Sequence, residues 1–242
     1  MTFTLPVLVY VTLSLVVSCQ RLPLPPNLIS FESAEGRQLL IDCLQDGQVS
    51  FTKIMAHWEK QILATFCGVA TSVCVLNALG LPGPTMETFP AQFGYFTQSN
   101  LLVMPQVRQV INESIVHKEG MTLDQLAVTL EAAGDGNVTA EVHHADYSDL
   151  SEFREHVVHS AYNENAFVVI NYERGRVLQL QGGHFSPIAA FHPATDRALV
   201  LDVTKHKYPA VWVTLTDLFR AMDTSAVPEK RGFVSVRLRA DQ

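Results

Sequence analysis

The sequence is short of the features that define several protein classes. Only 4 of its 242 residues are cysteine, too few in a chain of this length for a disulfide scaffold. Charged residues make up 17%, with 17 Lys and Arg against 24 Asp and Glu and a formal net charge of −7. Lys and Arg nowhere form a dense run, which argues against nucleic acid or a polyanionic surface as the main partner. No internal repeat and no linker of changed composition divides the chain, and its length suits one domain of about 200–250 residues. An apolar share of 48% supplies a sizeable core and excludes a disordered chain.

Charge is also missing from the first twenty residues, Arg21 being the first charged side chain. Leu5 to Val17 is an apolar run with the length of a signal-peptide core, short for a spanning helix and interrupted by Pro6. Residues 1–19 therefore read as an export signal and 20–242 as the single domain. Val16-Val17-Ser18-Cys19 resembles the lipobox of bacterial lipoproteins, so cleavage, a lipid anchor at Cys19 and an uncleaved anchor all stay open. The expected place is outside the cytosol, periplasmic or membrane-anchored as a lipoprotein if the source is bacterial. Cys43, Cys67 and Cys74 remain. Cys67 and Cys74 are about 10 Å apart along a helix and cannot pair there; pairing of Cys43 with either stays open.

The remaining residues describe an α+β layout, helices first and an antiparallel sheet after. Residues 21–31, with Pro23, Pro25 and Pro26, lead in as extended chain. Ser33 to Cys43 reads as a capped short helix, and Phe51 to Lys60 is mixed. Val69 to Leu79 is apolar on most of a helix circumference, a central buried helix that Gly80 stops in a left-handed conformation. Pro82 to Pro105 is a loop with Phe89, Phe93, Tyr95 and Phe96, long enough to act as a lid. Thr122 and Gln125 have the spacing of a capping box, and the stripe Leu123, Leu126, Leu130 and Ala133 runs to Gly134. A strand is expected over Thr139–Val142 and an amphipathic helix over Asp149–Tyr162. Strands follow at Phe167–Tyr172, His184–Phe191, Ala198–Thr204, Ala210–Val213 and Gly232–Leu238. A short helix falls near Thr216–Met222, and His192–Asp196 is a turn.

Cys67 opens the buried helix, where unpaired backbone N–H groups and the helix dipole favour thiolate. A nucleophilic thiol needs a base and a group that orients the base. Of nine histidines, His57, His117, His143, His144, His156 and His159 have nothing in their surroundings to single them out and read as solvated or capping residues. His184 differs, because Gly182 and Gly183 before it let a backbone or ligand approach closely. Asp202 ends the apolar run Leu199-Val200-Leu201, and a buried Asp is costly unless paired. The turn between the two strands lets His184 and Asp202 meet. Cys, then His, then Asp, with Gln61 six residues before the Cys as an oxyanion donor, is the order of papain-like thiol enzymes.

Three stretches together resemble the catalytic domain of phytochelatin synthases. They are Gln61 with Phe66-Cys67-Gly68-Val69-Ala70, Gly183-His184-Phe185-Ser186-Pro187, and Leu201-Asp202-Val203-Thr204-Lys205 continuing to Val213. The resemblance runs from about Leu28 to Phe233 and is nearest to short bacterial forms that carry an export signal and end after this domain. It implies a papain-like fold and attack on the γ-Glu-Cys to Gly bond of glutathione. Cys67 would be nucleophile, His184 general base and acid, Asp202 the orienter, and Gln61 an oxyanion donor beside the Cys67 N–H. The acyl group would pass to water or to a second glutathione. Lys205 and Tyr208 match the family's acceptor site, and Gly183, Asn171 and Arg174 match positions at its substrate cleft. At Lys205 the family usually has Arg; Lys keeps the charge and loses the bidentate fork, which weighs on transfer more than on hydrolysis.

No cofactor is required by this chemistry, and no C-x₂-C or H-x₃-H spacing predicts a dedicated metal site. Zinc or cadmium would arrive as a glutathione thiolate complex. Glutathione and its metal complexes are the expected partners, with a homodimer left open. Two other readings remain: a general papain-like peptidase acting on α-linked peptides, and a non-catalytic glutathione- or metal-binding module.

Overall fold

The apolar runs Phe167-Val168-Val169-Ile170, Ile188-Ala189-Ala190-Phe191 and Phe233-Val234-Ser235-Val236 are rich in β-branched and aromatic residues, and they pair at the centre of one antiparallel sheet. The computed structural model describes residues 21–85, 94–226 and 229–239. The expected signal and the lipid site at Cys19 lie outside the described residues, as do Phe89 and Phe93 of the expected lid.

Among the described residues the helices are α1 Ala34–Gln45, α2 Ser50–Met55, α3 Cys67–Ala78, α4 Pro105–Arg108, α5 Glu113–Glu119, α6 Leu123–Ala133, α7 Leu150–Ala161 and α8 Leu215–Met222. The strands are β1 Ile29–Ser30, β2 Val138–His144, β3 Ala166–Glu173, β4 Gly183–His192, β5 Arg197–Val200, β6 Val211–Thr214 and β7 Gly232–Leu238. They form one sheet in the order β1-β6-β5-β4-β3-β7-β2. The α+β layout read from the sequence is the observed one.

Side chains along the strands alternate between two cores. Phe167, Val169, Phe185, Leu199, Trp212 and Val234 face the core shared with α3 and α6, while Val168, Ile170, Val200, Val211, Val213 and Phe233 face the core shared with α7 and α8. Covering both faces with helices explains why the strands read as continuous apolar runs, since each side of the pleat needs apolar residues. The helix α3 is buried at every position after Cys67, which fixes the thiol against a rigid layer.

Local signals account for most element ends. Gly80 stands at φ +72 as the left-handed stop of α3. The capping box of Thr122 and Gln125 is complete in both directions, and Asp149 caps α7 through the N–H groups of Ser151 and Glu152. Past α6, Gly134 stays right-handed and the positive φ falls on Asp135 and Gly136. The strand expected over Ala198–Thr204 stops at Val200. After it, the Leu201 N–H still donates to the Pro187 carbonyl at 3.1 Å, and then Asp202 accepts the Thr204 N–H at 2.7 Å. That local turn competes with the ladder and ends it. The segment Phe51–Lys60, mixed in sequence, overlaps α2, which begins at Ser50, and the strand expected at Thr139–Val142 runs from Val138 to His144.

Leu76 has no exposed surface and packs in the core between α3 and the sheet. Leu76→Ala is expected to lower unfolding free energy by about 2–5 kcal/mol, read as an earlier urea midpoint with unchanged slope; a loss below about 0.5 kcal/mol would show that α3 is not the buried centre.

Candidate active site

Cys67 is the first residue of α3, and the residue before it, Phe66, makes no side-chain capping bond. The first-turn N–H groups are therefore open toward the thiol. The next residue is glycine, and a Cβ there would stand 2.8 Å from the Met121 sulfur, so Gly68 lets the helix start sit against the Met121 segment. Cys67 is partly exposed, whereas Cys43 and Cys74 are buried, and all three are free. Burial pushes the Cys43 thiol up to about 12, with Asp42 and Asp46 adding to it, and burial pushes Cys74 up as well. Burial acts in the same direction on Cys67, yet it is outweighed by the hydrogen bond and charge of His184, and by the N–H groups of Phe185 and Gly68 donating to the sulfur. The net shift of Cys67 is downward, toward a thiolate.

His184 is the second residue of β4, opposite Tyr172 on β3. Its Nε2 lies 2.8 Å from Asp202 Oδ1, which leaves Nδ1 as its other hydrogen-bonding atom. Burial disfavours the imidazolium, but the charge and hydrogen bond of Asp202 and the contact with Cys67 carry His184 upward. Asp202 is fully buried. It accepts from the Thr204 N–H at 2.7 Å and the Thr204 hydroxyl at 2.6 Å, both on Oδ1, while Arg174 Nη2 donates to Oδ2 and to the Thr204 hydroxyl. Burial penalises this carboxylate, and the cationic His184, Arg174 and the Thr204 hydrogen bond outweigh the penalty and hold it well below the usual carboxylate range.

A cleft of about 540 Å³ opens on Cys67, within the roughly 300–1,000 Å³ of small-ligand sites. Asn171 and Gly183 line it with Phe185, Thr65 and Met121. Arg174 does not. It is buried behind the carboxylate, with its guanidinium 5.4 Å from the Tyr208 ring centroid. Lys205 and Tyr208 are also absent from the lining of this cleft. Lys205 lies 3.9 Å over the Trp58 ring, and Tyr208 is buried with its hydroxyl accepting the Leu180 N–H at 3.0 Å. Gln61 is buried, its backbone N–H on the Val203 carbonyl at 3.0 Å. Its amide donates to the carbonyls of Leu63 and Ala64 at 2.7 and 2.9 Å, so both amide hydrogens hold the turn that precedes Cys67.

A model of the phytochelatin synthase family matches residues 19–233. The chain belongs to that family. Relatives of this phytochelatin synthase domain include the glutathione gamma-glutamylcysteinyltransferase 1 of Triticum aestivum, 33% identical over 223 residues that are 90% of this chain and 42% of the relative. The protein of the same name from Lotus japonicus is 31% identical over 219 residues, 89% of this chain and 41% of its own. The glutathione gamma-glutamylcysteinyltransferase of Schizosaccharomyces pombe is 27% identical over 215 residues, 87% and 49% of the two chains. The chain spans under half the length of these curated relatives.

One cleft residue of this phytochelatin synthase domain carried no signal in the sequence. Arg231 lies across the cleft from Cys67's helix, against Gly183, where an added Cβ would meet its Nη2 at 2.7 Å. Glu173 pairs with it at 3.4 Å. It sits just before β7 in an ordinary Lys-Arg-Gly stretch, with nothing local to distinguish it.

The shifts of Cys67 and His184 fix the sign of a pH test. A thiol lowered in the folded state stays ionised below the range of a free cysteine, and a raised imidazole keeps its charge over the same interval. Iodoacetamide should alkylate Cys67 at neutral pH far faster than Cys43 or Cys74, by site-resolved mass spectrometry. His184→Ala should slow it and move the midpoint of its pH profile upward; equal rates at the three thiols would refute the pairing.

Proposed function

We propose that this member of the phytochelatin synthase family is a glutathione-directed thiol enzyme of papain-like fold and mechanism, a γ-glutamylcysteinyltransferase that also acts as a cysteine peptidase on glutathione. The observation that carries the reading is the buried pair of His184 Nε2 and Asp202 Oδ1 at 2.8 Å, with His184 lowering the Cys67 thiol at the head of α3. The names of the relatives supply the substrate, and the cleft at Cys67 is of a size to take it.

The Cys67 thiolate attacks the carbonyl carbon between cysteine and glycine, forming the S–C bond. The oxyanion that develops lies at the start of α3, where the Cys67 N–H can donate. His184 then gives its Nδ1 proton to the glycine nitrogen, the C–N bond breaks, and glycine leaves a γ-glutamylcysteinyl thioester. Neutral His184 takes a proton from water, giving γ-Glu-Cys, or from the α-amino group of a second glutathione, giving (γ-Glu-Cys)₂-Gly. Either attack returns the thiolate. Asn171, Gly183 and Arg231 hold the donor in the cleft. Gln61 joins the oxyanion site by exchanging one of its carbonyl partners for the substrate oxygen. Lys205 and Tyr208 act on the acceptor from the Asp202 side, Tyr208 through the guanidinium of Arg174. Metal ions enter as acceptor complexes with glutathione. The export expected from residues 1–19 belongs to the same proposal.

Glycine release from glutathione, followed by mass-resolved products, tests this. Cys67→Ala should abolish release and Gln61→Ala should slow it about 10²–10³-fold. γ-Glu-Cys should be the main product of glutathione alone. Release by the Cys67→Ala protein, or cleavage of ordinary α-linked peptides in preference to glutathione, would overturn the proposal.

A further inference from the structure

Three side chains at the rim of the Cys67 cleft meet from separate parts of the chain. His144 ends β2, Asp124 lies in the first turn of α6, and Glu229 precedes β7. His144 Nδ1 lies 2.8 Å from the Lys230 carbonyl, a partner that can only accept. Nδ1 is therefore committed as a donor to that carbonyl, and Nε2 is the ring atom that faces two carboxylates. Glu229 Oε2 is 2.8 Å from it and Asp124 Oδ2 3.2 Å. Two carboxylates that converge on one ring nitrogen need a proton or a metal cation between them.

Two carboxylates face one imidazole, so the group keeps a negative charge even when Nε2 is protonated. Among the described residues no Lys or Arg pairs with Asp124 or Glu229. Lys230, next in the chain, sends its ammonium to Asp146 and Asp223 at 3.4 and 2.6 Å. The three ligand atoms lie within 4.8 Å of one another, and tetrahedral bonds of about 2.0–2.1 Å put ligands about 3.3 Å apart. Imidazole held by a backbone carbonyl is also the usual support of a metal-ligating histidine.

We propose that Asp124, His144 and Glu229 bind one divalent cation of the zinc class at the rim of the Cys67 cleft, leaving the rest of its coordination to water or to a donor in the cleft. The site was invisible to spacing rules, because its ligands are far apart in the chain. His143, Glu152 and His156 form a second cluster, but both ring nitrogens of His143 are already engaged, by Glu152 at 2.8 Å and Ser235 at 3.1 Å. Its ring is also stacked on Phe233 at 4.4 Å. It serves as the internal comparison.

The test uses metal-stripped full-length protein carrying Cys67→Ala, so that no reactive thiol competes, titrated with Zn²⁺ by calorimetry and with Co²⁺ by visible absorption. One equivalent should bind. His144→Ala, and separately Glu229→Gln at a half-exposed position, should each weaken binding by about tenfold or more, while His156→Ala leaves it unchanged and circular dichroism confirms folding. Absence of saturable binding, binding indifferent to Glu229→Gln, or binding lost with His156→Ala would each overturn the proposal.

Discussion

The site depends on how a buried carboxylate is kept charged. Asp202 has no exposed surface, and an unpaired carboxylate in that position would cost several kcal/mol. Thr204, His184 and Arg174 share the task, and each consequence is visible elsewhere. The Thr204 turn ends β5. The bond to Nε2 orients the imidazole of His184. Arg174 is drawn behind Asp202, where its charge balances the carboxylate and its guanidinium lies 5.4 Å from the Tyr208 ring centroid. A group that resembles a substrate ligand by position is therefore a counter-ion to Asp202.

The thiol end rests on a different constraint. The core helix α3 is buried on every side after Cys67, so its axis is fixed by packing against β4 and α6. Its first residue is the one polar group on it that reaches the cleft. Cys43 and Cys74 have similar chemistry and different surroundings: burial raises both, Asp42 and Asp46 add to it at Cys43 and Glu59 at Cys74, where Lys205 offsets only part. What separates the lowered thiol of Cys67 from these two is the imidazole on the neighbouring strand.

Legibility in the sequence followed locality. Cys67 at a helix start, His184 after two glycines and Asp202 at the end of an apolar run each have a signature within a few residues, and the turn at His192–Asp196 brings the last two together. The capping box at Thr122 and the Gly80 stop were readable for the same reason. Arg231 and the Asp124, His144 and Glu229 group were not, since sheet order alone brings β2, β7 and α6 to the cleft. The end of β5 at Val200 was missed because side-chain hydrogen bonds of Asp202 override a strand pattern that continues to Thr204. Lys205 and Tyr208 lie beside Asp202 in sequence, yet the turn carries them to its far side, away from the cleft that Cys67 lines.

The central claim is that the carbonyl carbon of a glutathione-derived acyl group becomes bonded to Cys67. Acid quenching of the enzyme during turnover of glutathione, followed by peptide mass mapping, tests it most directly. A γ-glutamylcysteinyl adduct on the peptide holding Cys67, lost on treatment with hydroxylamine, is the expected result. Turnover that continues with no adduct, or an adduct carried by Cys43 or Cys74, would contradict the account.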